Sequence, residues 1–159
     1  MRQRGVTLIQ MMFALAMAAL LTQLGMPAYA KLSDDLHRAA AARDLAQALR
    51  SARSHAMLQS QPVLVRPLEN DWSKGWIVQL EHNQQVLREH RLMRSIRIAE
   101  NTKGQVKFSA LGITAGRFGA TLKVCERSSA SSRYQVVISR AGRVDLRTKE
   151  ERDPLCAGR

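Results

Sequence analysis

The 159 residues are enough for one domain plus an N-terminal anchor helix. Lys and Arg outnumber Asp and Glu 25 to 13, a net charge of +12, so the surface favours anionic partners. Aromatic residues make up only 4%, so a core has to be built from Val, Ile, Leu and Ala. Two cysteines and four scattered histidines form neither a cysteine-rich scaffold nor a zinc-binding spacing.

The chain opens with a short basic head, Met1-Arg2-Gln3-Arg4-Gly5. A nearly uninterrupted apolar run then extends through Met11–Leu21 to Ala30. About 20 helical residues rising 1.5 Å each cover roughly the 30 Å of a bilayer's hydrocarbon core, so residues 6–30 can span a membrane. A secretory signal peptide has a similar outline, and Ala28-Tyr29-Ala30 supplies a small-x-small cleavage site. That alternative yields a secreted soluble basic domain beginning at Lys31. Against it stand the very short head ending in Gly5, the polar Thr7 and Gln10 at the start of the run, and the amphipathic helix directly after Ala30.

Gly5-Val6-Thr7-Leu8-Ile9-Gln10-Met11-Met12 resembles the type III signal of type IV pilins and type II secretion pseudopilins. The resemblance implies cleavage by a prepilin peptidase between Gly5 and Val6, methylation of the new N-terminus at Val6, and retention of the apolar helix in the inner membrane. Residues 1–5 are then the leader. Pro27 stands where that family often has a helix-distorting proline. The fifth mature residue, normally a Glu that pairs with a neighbouring subunit's N-terminal amine, is Gln10 here, which can hydrogen-bond without a charge.

Arg2 and Arg4 stay on the cytoplasmic side, and the remainder translocates regardless of its own charge. Residues 31–159 therefore form a head expected in the periplasm, with incorporation into an extracellular pilus as an extension. Losing Arg2 and Arg4 leaves about ten excess positive charges. In an oxidising compartment Cys125 and Cys156 are expected to form a disulfide, the alternative being two buried thiols. Such a bridge closes a loop of roughly 30 residues and stabilises by about 3–4 kcal/mol.

Residues 31–60 read as the second half of one long helix. Leu32, Leu36, Ala39, Ala42, Leu45, Ala46, Leu49, Ala52, Ala56 and Met57 recur at three- and four-residue steps. Arg38, Arg43, Arg50 and Arg53 fall on other faces, and Ser60-Gln61-Pro62 is a stop signal. From Pro62 the period becomes two. Residues 62–66, 75–80, 85–88, 95–98, 105–108, 120–125, 134–139 and 143–146 read as short strands separated by Gly, Asn, Asp or Ser. The fold class is α+β: one long N-terminal helix laid against an antiparallel sheet or sandwich over residues 62–159. Ser128–Ser132 reads as a flexible loop, and Trp72 and Trp76 as core residues flanking a turn.

This second part resembles the GspH/FimT branch of pilin-like proteins. The residues that carry the likeness are Ala52-Arg53-Ser54-His55-Ala56, Gln61-Pro62-Val63, Trp72-Ser73-Lys74-Gly75-Trp76, Val106–Gly112 and Val136–Val144. They do not separate a minor pilin from a type II secretion pseudopilin. The implied partners are other pilins or pseudopilins.

His37, His55, His82 and His90 match no metal motif. Gly112, Gly116 and Gly119 make no phosphate loop and read as turn glycines, so neither a cofactor nor catalysis is expected. The informative signal is basic. Arg88, Arg91, Arg94 and Arg97 form one group; Arg140, Arg143, Arg147, Lys149 and Arg152 form another. On a strand, Arg143, Asp145, Arg147 and Lys149 share a face, which is cationic. Its alternatives are contact with nucleic acid or another polyanion, and a solvated or acidic-pilin-docking surface. In the FimT branch a Gly-Arg-x-Arg motif near the C-terminus is associated with DNA binding during natural transformation. Gly142-Arg143-Val144-Asp145 keeps the first arginine, has Asp in place of the second, and offers Arg147 one same-face step further on. The resemblance thus implies sequence-independent phosphate contacts to double-stranded DNA by Arg140, Arg143, Arg147 and Lys149.

Overall fold

One helix, α1 (Leu8–Gln59), occupies the first third of the molecule in the computed structural model. The structure describes residues 7–94, 96–102, 104–115, 119–126, 130–152 and 154–157. Gly5 and Val6 lie outside the described residues. Two units follow one another along the chain, divided between His37 and Arg38.

In the first unit, Thr7 caps the helix. Its N–H donates to Gln10 Oε1 at 3.1 Å, while the Gln10 and Met11 N–H groups donate to the Thr7 carbonyl at 3.0 and 3.2 Å. This is the back-reaching arm of a capping box, with Gln10 at the third helical position. Large apolar side chains from Leu8 to Tyr29 are exposed, and the segment is long and apolar enough to cross a membrane. The hydroxyl of Thr22, within this run, donates back to the Ala18 and Ala19 carbonyls at 3.1 and 2.9 Å. That satisfies it without water.

In the second unit the buried stripe of α1 begins at Ala39 and runs through Ala42, Leu45, Ala46, Leu49, Ala52 and Ala56. Leu32, Leu36 and Met57, expected on that stripe, are exposed. Alanines at most contact positions let strands approach the helix backbone closely. The helix stops because Ser60 turns left-handed (φ 51°), with Gln61 N–H bonded to the Ala56 carbonyl and Ser60 N–H to the Met57 carbonyl. That pair of bonds is a Schellman closure, which satisfies carbonyls the ended helix leaves free.

Eight strands follow: β1 (Val63–Leu68), β2 (Asp71–Leu80), β3 (Val86–Arg91), β4 (Ile98–Glu100), β5 (Val106–Phe108), β6 (Ala120–Cys125), β7 (Ser131–Ile138) and β8 (Val144–Arg152). A short helix, α2 (Pro154–Ala157), ends the described chain. Pairing is antiparallel in two four-stranded sheets, ordered β3-β2-β1-β5 and β4-β6-β7-β8. One core joins both sheets to α1 through Val63, Val65, Trp76, Phe108, Leu122, Val124, Val136 and Ile138. Trp76 stacks on His90 with ring centroids 4.5 Å apart.

Most strand boundaries differ from the sequence reading by a few residues, and three of the differences change how residues are placed. Trp72 lies inside β2, buried with Trp76, so the two indoles do not flank a turn. Ser131 and Ser132 belong to β7, opposite Arg152 and Glu151, because pairing with β8 extends a strand that composition marks as loop. For the same reason β8 runs to Arg152. Ser128 and Ser129 are outside the described residues. Cys125 and Cys156 form a disulfide that ties α2 to the second sheet, and the Arg97 guanidinium donates to the Cys156 carbonyl beside it.

Candidate functional site

Strand β8 sorts its side chains by alternation. Val144 is buried, while Arg147 and Lys149 on the other face are exposed. Register decides what joins them. Arg147 lies opposite Gln135 on β7, and Gln135 lies opposite Lys123 on β6. Directly opposite residues stand about 5 Å apart, so Lys123, Gln135 and Arg147 form one row across the outer face of the second sheet. Arg133, exposed two residues before Gln135, extends the face. Gln135 itself is buried, and its amide nitrogen meets no acceptor among the described residues.

Sequence spacing had pointed to Arg140, Arg143, Arg147 and Lys149. The structure keeps Arg147 and Lys149 on this face, adds Lys123 through its register with Gln135, and adds Arg133 through alternation along β7. Arg143 is exposed, but its Nε lies 3.4 Å from Asp145 Oδ2. The aspartate in the second position of the basic motif therefore draws the first arginine onto itself. The other basic group does not converge. Arg91 bonds Glu89 at 2.6 Å, Arg97 is committed to the Cys156 carbonyl, and Arg88 stands on β3 of the other sheet.

Arg140 is exposed in the turn Ser139–Gly142 that launches β8. The turn is anchored by residues distant in sequence. Arg53 donates from Nε to the Gly112 carbonyl (3.1 Å) and from Nη2 to the Ala141 carbonyl (3.2 Å). Thr114 donates from its N–H and hydroxyl to the Arg140 carbonyl, both at 3.2 Å. Arg50 donates twice to the Val144 carbonyl at 3.2 Å. These two arginines, which helix periodicity leaves on outward faces, hold the turn in place.

Among the described residues the face carries no exposed aromatic ring on which bases could stack: Tyr134 is buried, and Trp72 and Trp76 lie in the core. Among the described residues no three His, Cys, Asp or Glu side chains gather to hold a metal. Away from the face, Glu100 on β4 has its carboxyl pushed above the usual carboxylate range, chiefly by burial. The Trp72 indole and the Gly104 amide oppose this. The indole's opposition is weak, since neither Trp72 Nε1 nor Glu100 Oε2 meets a partner at hydrogen-bonding geometry among the described residues.

Residues 41–142, more than half of the chain, match the family model described as Type II transport protein GspH. The chain belongs to the GspH family. Two crystal structures of the type IV minor pilin FimU of Pseudomonas aeruginosa share its fold. One aligns with a TM-score of 0.65 at 23% identity, covering 79% of this chain and 98% of FimU. The other gives 0.63 at 25% identity, covering 74% and 98%. The minor pseudopilin EpsH from the Type 2 Secretion System of Vibrio cholerae gives 0.52 at 13% identity, covering 67% and 93%. No curated protein matches the chain by sequence.

This GspH-family chain is accordingly a minor pilin or pseudopilin, of a type IV pilus or a type II secretion system. The family is one of structural pilins, whose members assemble with other pilins or pseudopilins. With that membership, the exposed apolar surface of α1 fits a membrane-anchored pilin.

Proposed function

We propose that this GspH-family protein is a minor subunit of a type IV pilus that holds double-stranded DNA, without sequence preference, on the outer face of its second sheet. A leader of residues 1–5 is removed between Gly5 and Val6, and Val6 becomes the methylated N-terminus. Residues 6–30 cross the inner membrane, and residues 31–159 occupy the periplasm. Gln10, which ties back to the Thr7 N–H, offers a neighbouring subunit an uncharged hydrogen bond in place of the usual carboxylate. The pilus reading draws on the likeness to FimU, at 25% identity over 98% of that chain.

The observation that carries the DNA reading is the pair of exposed cations Arg147 and Lys149 on the outer face of β8, with Lys123 in register across the sheet. Flexible cations on a sheet match phosphates and read no bases. The full chain in detergent, titrated with duplex DNA at several salt concentrations, tests it. Two phosphate contacts, from Arg147 and Lys149, give a log–log slope of roughly −1.8. Arg147→Ala is expected to reduce the slope by about 1, equally on any sequence. Absence of binding at low salt removes the DNA reading and leaves the pilin assignment intact. Sequencing the mature N-terminus tests processing: Val6 supports it, and Lys31 supports a soluble secreted domain.

The second reading, a type II secretion minor pseudopilin, is favoured by the family's own description as a type II transport protein. Deleting the chain then stops protein export and spares piliation.

A further inference from the structure

Both cysteines are joined in the Cys125–Cys156 bridge, so the readily oxidised sulfur left to this chain is thioether. Met11, Met12, Met17 and Met26 lie on the apolar segment of α1 that is long enough to cross a membrane. Beyond His37 the methionines are Met57 and Met93. Met93 stands fully in solvent. Met57 is 41% exposed, so water-borne reagents reach it, yet its sulfur covers Gly112.

A Cβ on Gly112 would lie 2.6 Å from Met57 Sδ and 3.2 Å from Arg53 Nε, so sulfur and guanidinium stand side by side over this glycine. That guanidinium donates to the Gly112 carbonyl in the loop Ser109–Thr114 and to the Ala141 carbonyl in the turn Ser139–Gly142. Loop and turn are thus tied by one side chain, and Met57 packs where they meet. A thioether is a weak acceptor that leaves this tie alone. A sulfoxide puts a polar oxygen on the same sulfur. Directed at Arg53, that oxygen competes with the Gly112 carbonyl for the Nε–H. Directed at Gly112, it meets backbone where even a Cβ does not fit.

We propose that Met57 is a reversible oxidation site whose state sets how firmly the turn Ser139–Gly142 is held. The co-reactant is a peroxide. A lone pair of the sulfur attacks one oxygen of hydrogen peroxide, and the S–O bond forms as the O–O bond breaks. The hydroxyl carried to sulfur gives its proton to the departing hydroxide, which leaves as water. Sulfur loses the electron pair that the peroxide gains. Methionine sulfoxide reductases reverse the step, oxidising a dithiol and releasing water. The proposal is independent of DNA binding.

The full chain in detergent is treated with hydrogen peroxide, and mass spectrometry of its peptides gives the sulfoxide fraction at each methionine. Hydrogen exchange is followed on the same samples over residues 109–114 and 139–142. There the Gly112, Thr114 and Gly142 N–H groups bond the Ser109, Arg140 and Ser139 carbonyls. Met57 and Met93 are expected to oxidise, and exchange over both segments to speed up about fivefold, equivalent to losing one hydrogen bond. Exchange over β1 stays unchanged. Reductases for both sulfoxide epimers are expected to restore the original rates. Met57→Leu, a volume-conserving change, is expected to abolish the response to peroxide, and Met93→Leu to leave it intact. Met57 staying reduced while Met93 is converted, unchanged exchange after Met57 is oxidised, rates the reductases fail to restore, or a response that survives Met57→Leu each overturn the proposal.

Discussion

Gly142 opens the Gly-Arg pair at the start of β8, and the structure predicts that replacing it with alanine damages folding rather than ligand contact. Its φ is +76°, a left-handed conformation that costs an alanine about 1–2 kcal/mol. A Cβ there also falls 1.8 Å from the Gly112 carbonyl oxygen. That partner is backbone, so the turn or the loop has to move by more than an ångström. The movement breaks bonds from Arg53 and Thr114, each worth about 1 kcal/mol net. Losing two or three of them brings the total to about 3–5 kcal/mol, a large share of the roughly 5–15 kcal/mol of a typical domain. Gly104 is the control. Its φ is +80°, yet nothing lies within 4 Å of its Cβ position, so Gly104→Ala bears only the same conformational cost, about 1–2 kcal/mol. Unfolding followed by tryptophan fluorescence reports on the head alone, because Trp72 and Trp76 are both buried there. Gly142→Ala is expected to lower Tm by roughly 10 °C or more, and Gly104→Ala by a few degrees. Equal losses for the two variants would refute the reasoning, since only the approach of the Gly112 carbonyl distinguishes them.

Other outcomes follow from the same geometry. Reducing the Cys125–Cys156 bridge, which spans 31 positions, is expected to cost about 3–4 kcal/mol, read as a drop in Tm with dithiothreitol that a double Cys→Ser variant no longer shows. Asp145→Asn frees the Arg143 guanidinium from its 3.4 Å partner and is expected to tighten duplex DNA binding and steepen its salt slope by about 1. An unchanged slope assigns Arg143 no phosphate. Glu100 carries the pH dependence. Its carboxyl is raised in the folded state, so the protonated form is the one folding favours. That stability is present below the usual carboxylate value and is lost as pH rises through the raised one. Glu100→Gln is therefore expected to raise Tm at pH 7 and leave it nearly unchanged at pH 4; a loss at pH 7 would contradict this.

Local pattern determined a good deal of this protein. The apolar run to Ala30, the three- and four-residue steps from Ala39 to Ala56, and the switch to alternation after Pro62 each follow from the geometry of a single element. Element type, the α+β class and the family resemblance were therefore readable along the chain. Ser60 as the stop of α1 was legible too, although the two bonds that close the helix were not. What the tertiary structure alone decided concerns partners far apart in sequence. Arg50 and Arg53 read as outward charges because their acceptors at Val144, Gly112 and Ala141 lie 94, 59 and 88 positions away. Lys123 joins Arg147 through strand register by way of Gln135, which spacing within one strand does not encode. Asp145 turns from a missing arginine into the partner of Arg143. Periodicity is a property of one element and can be read from it; contact between elements depends on how the chain closes on itself, and there the functional surfaces were made.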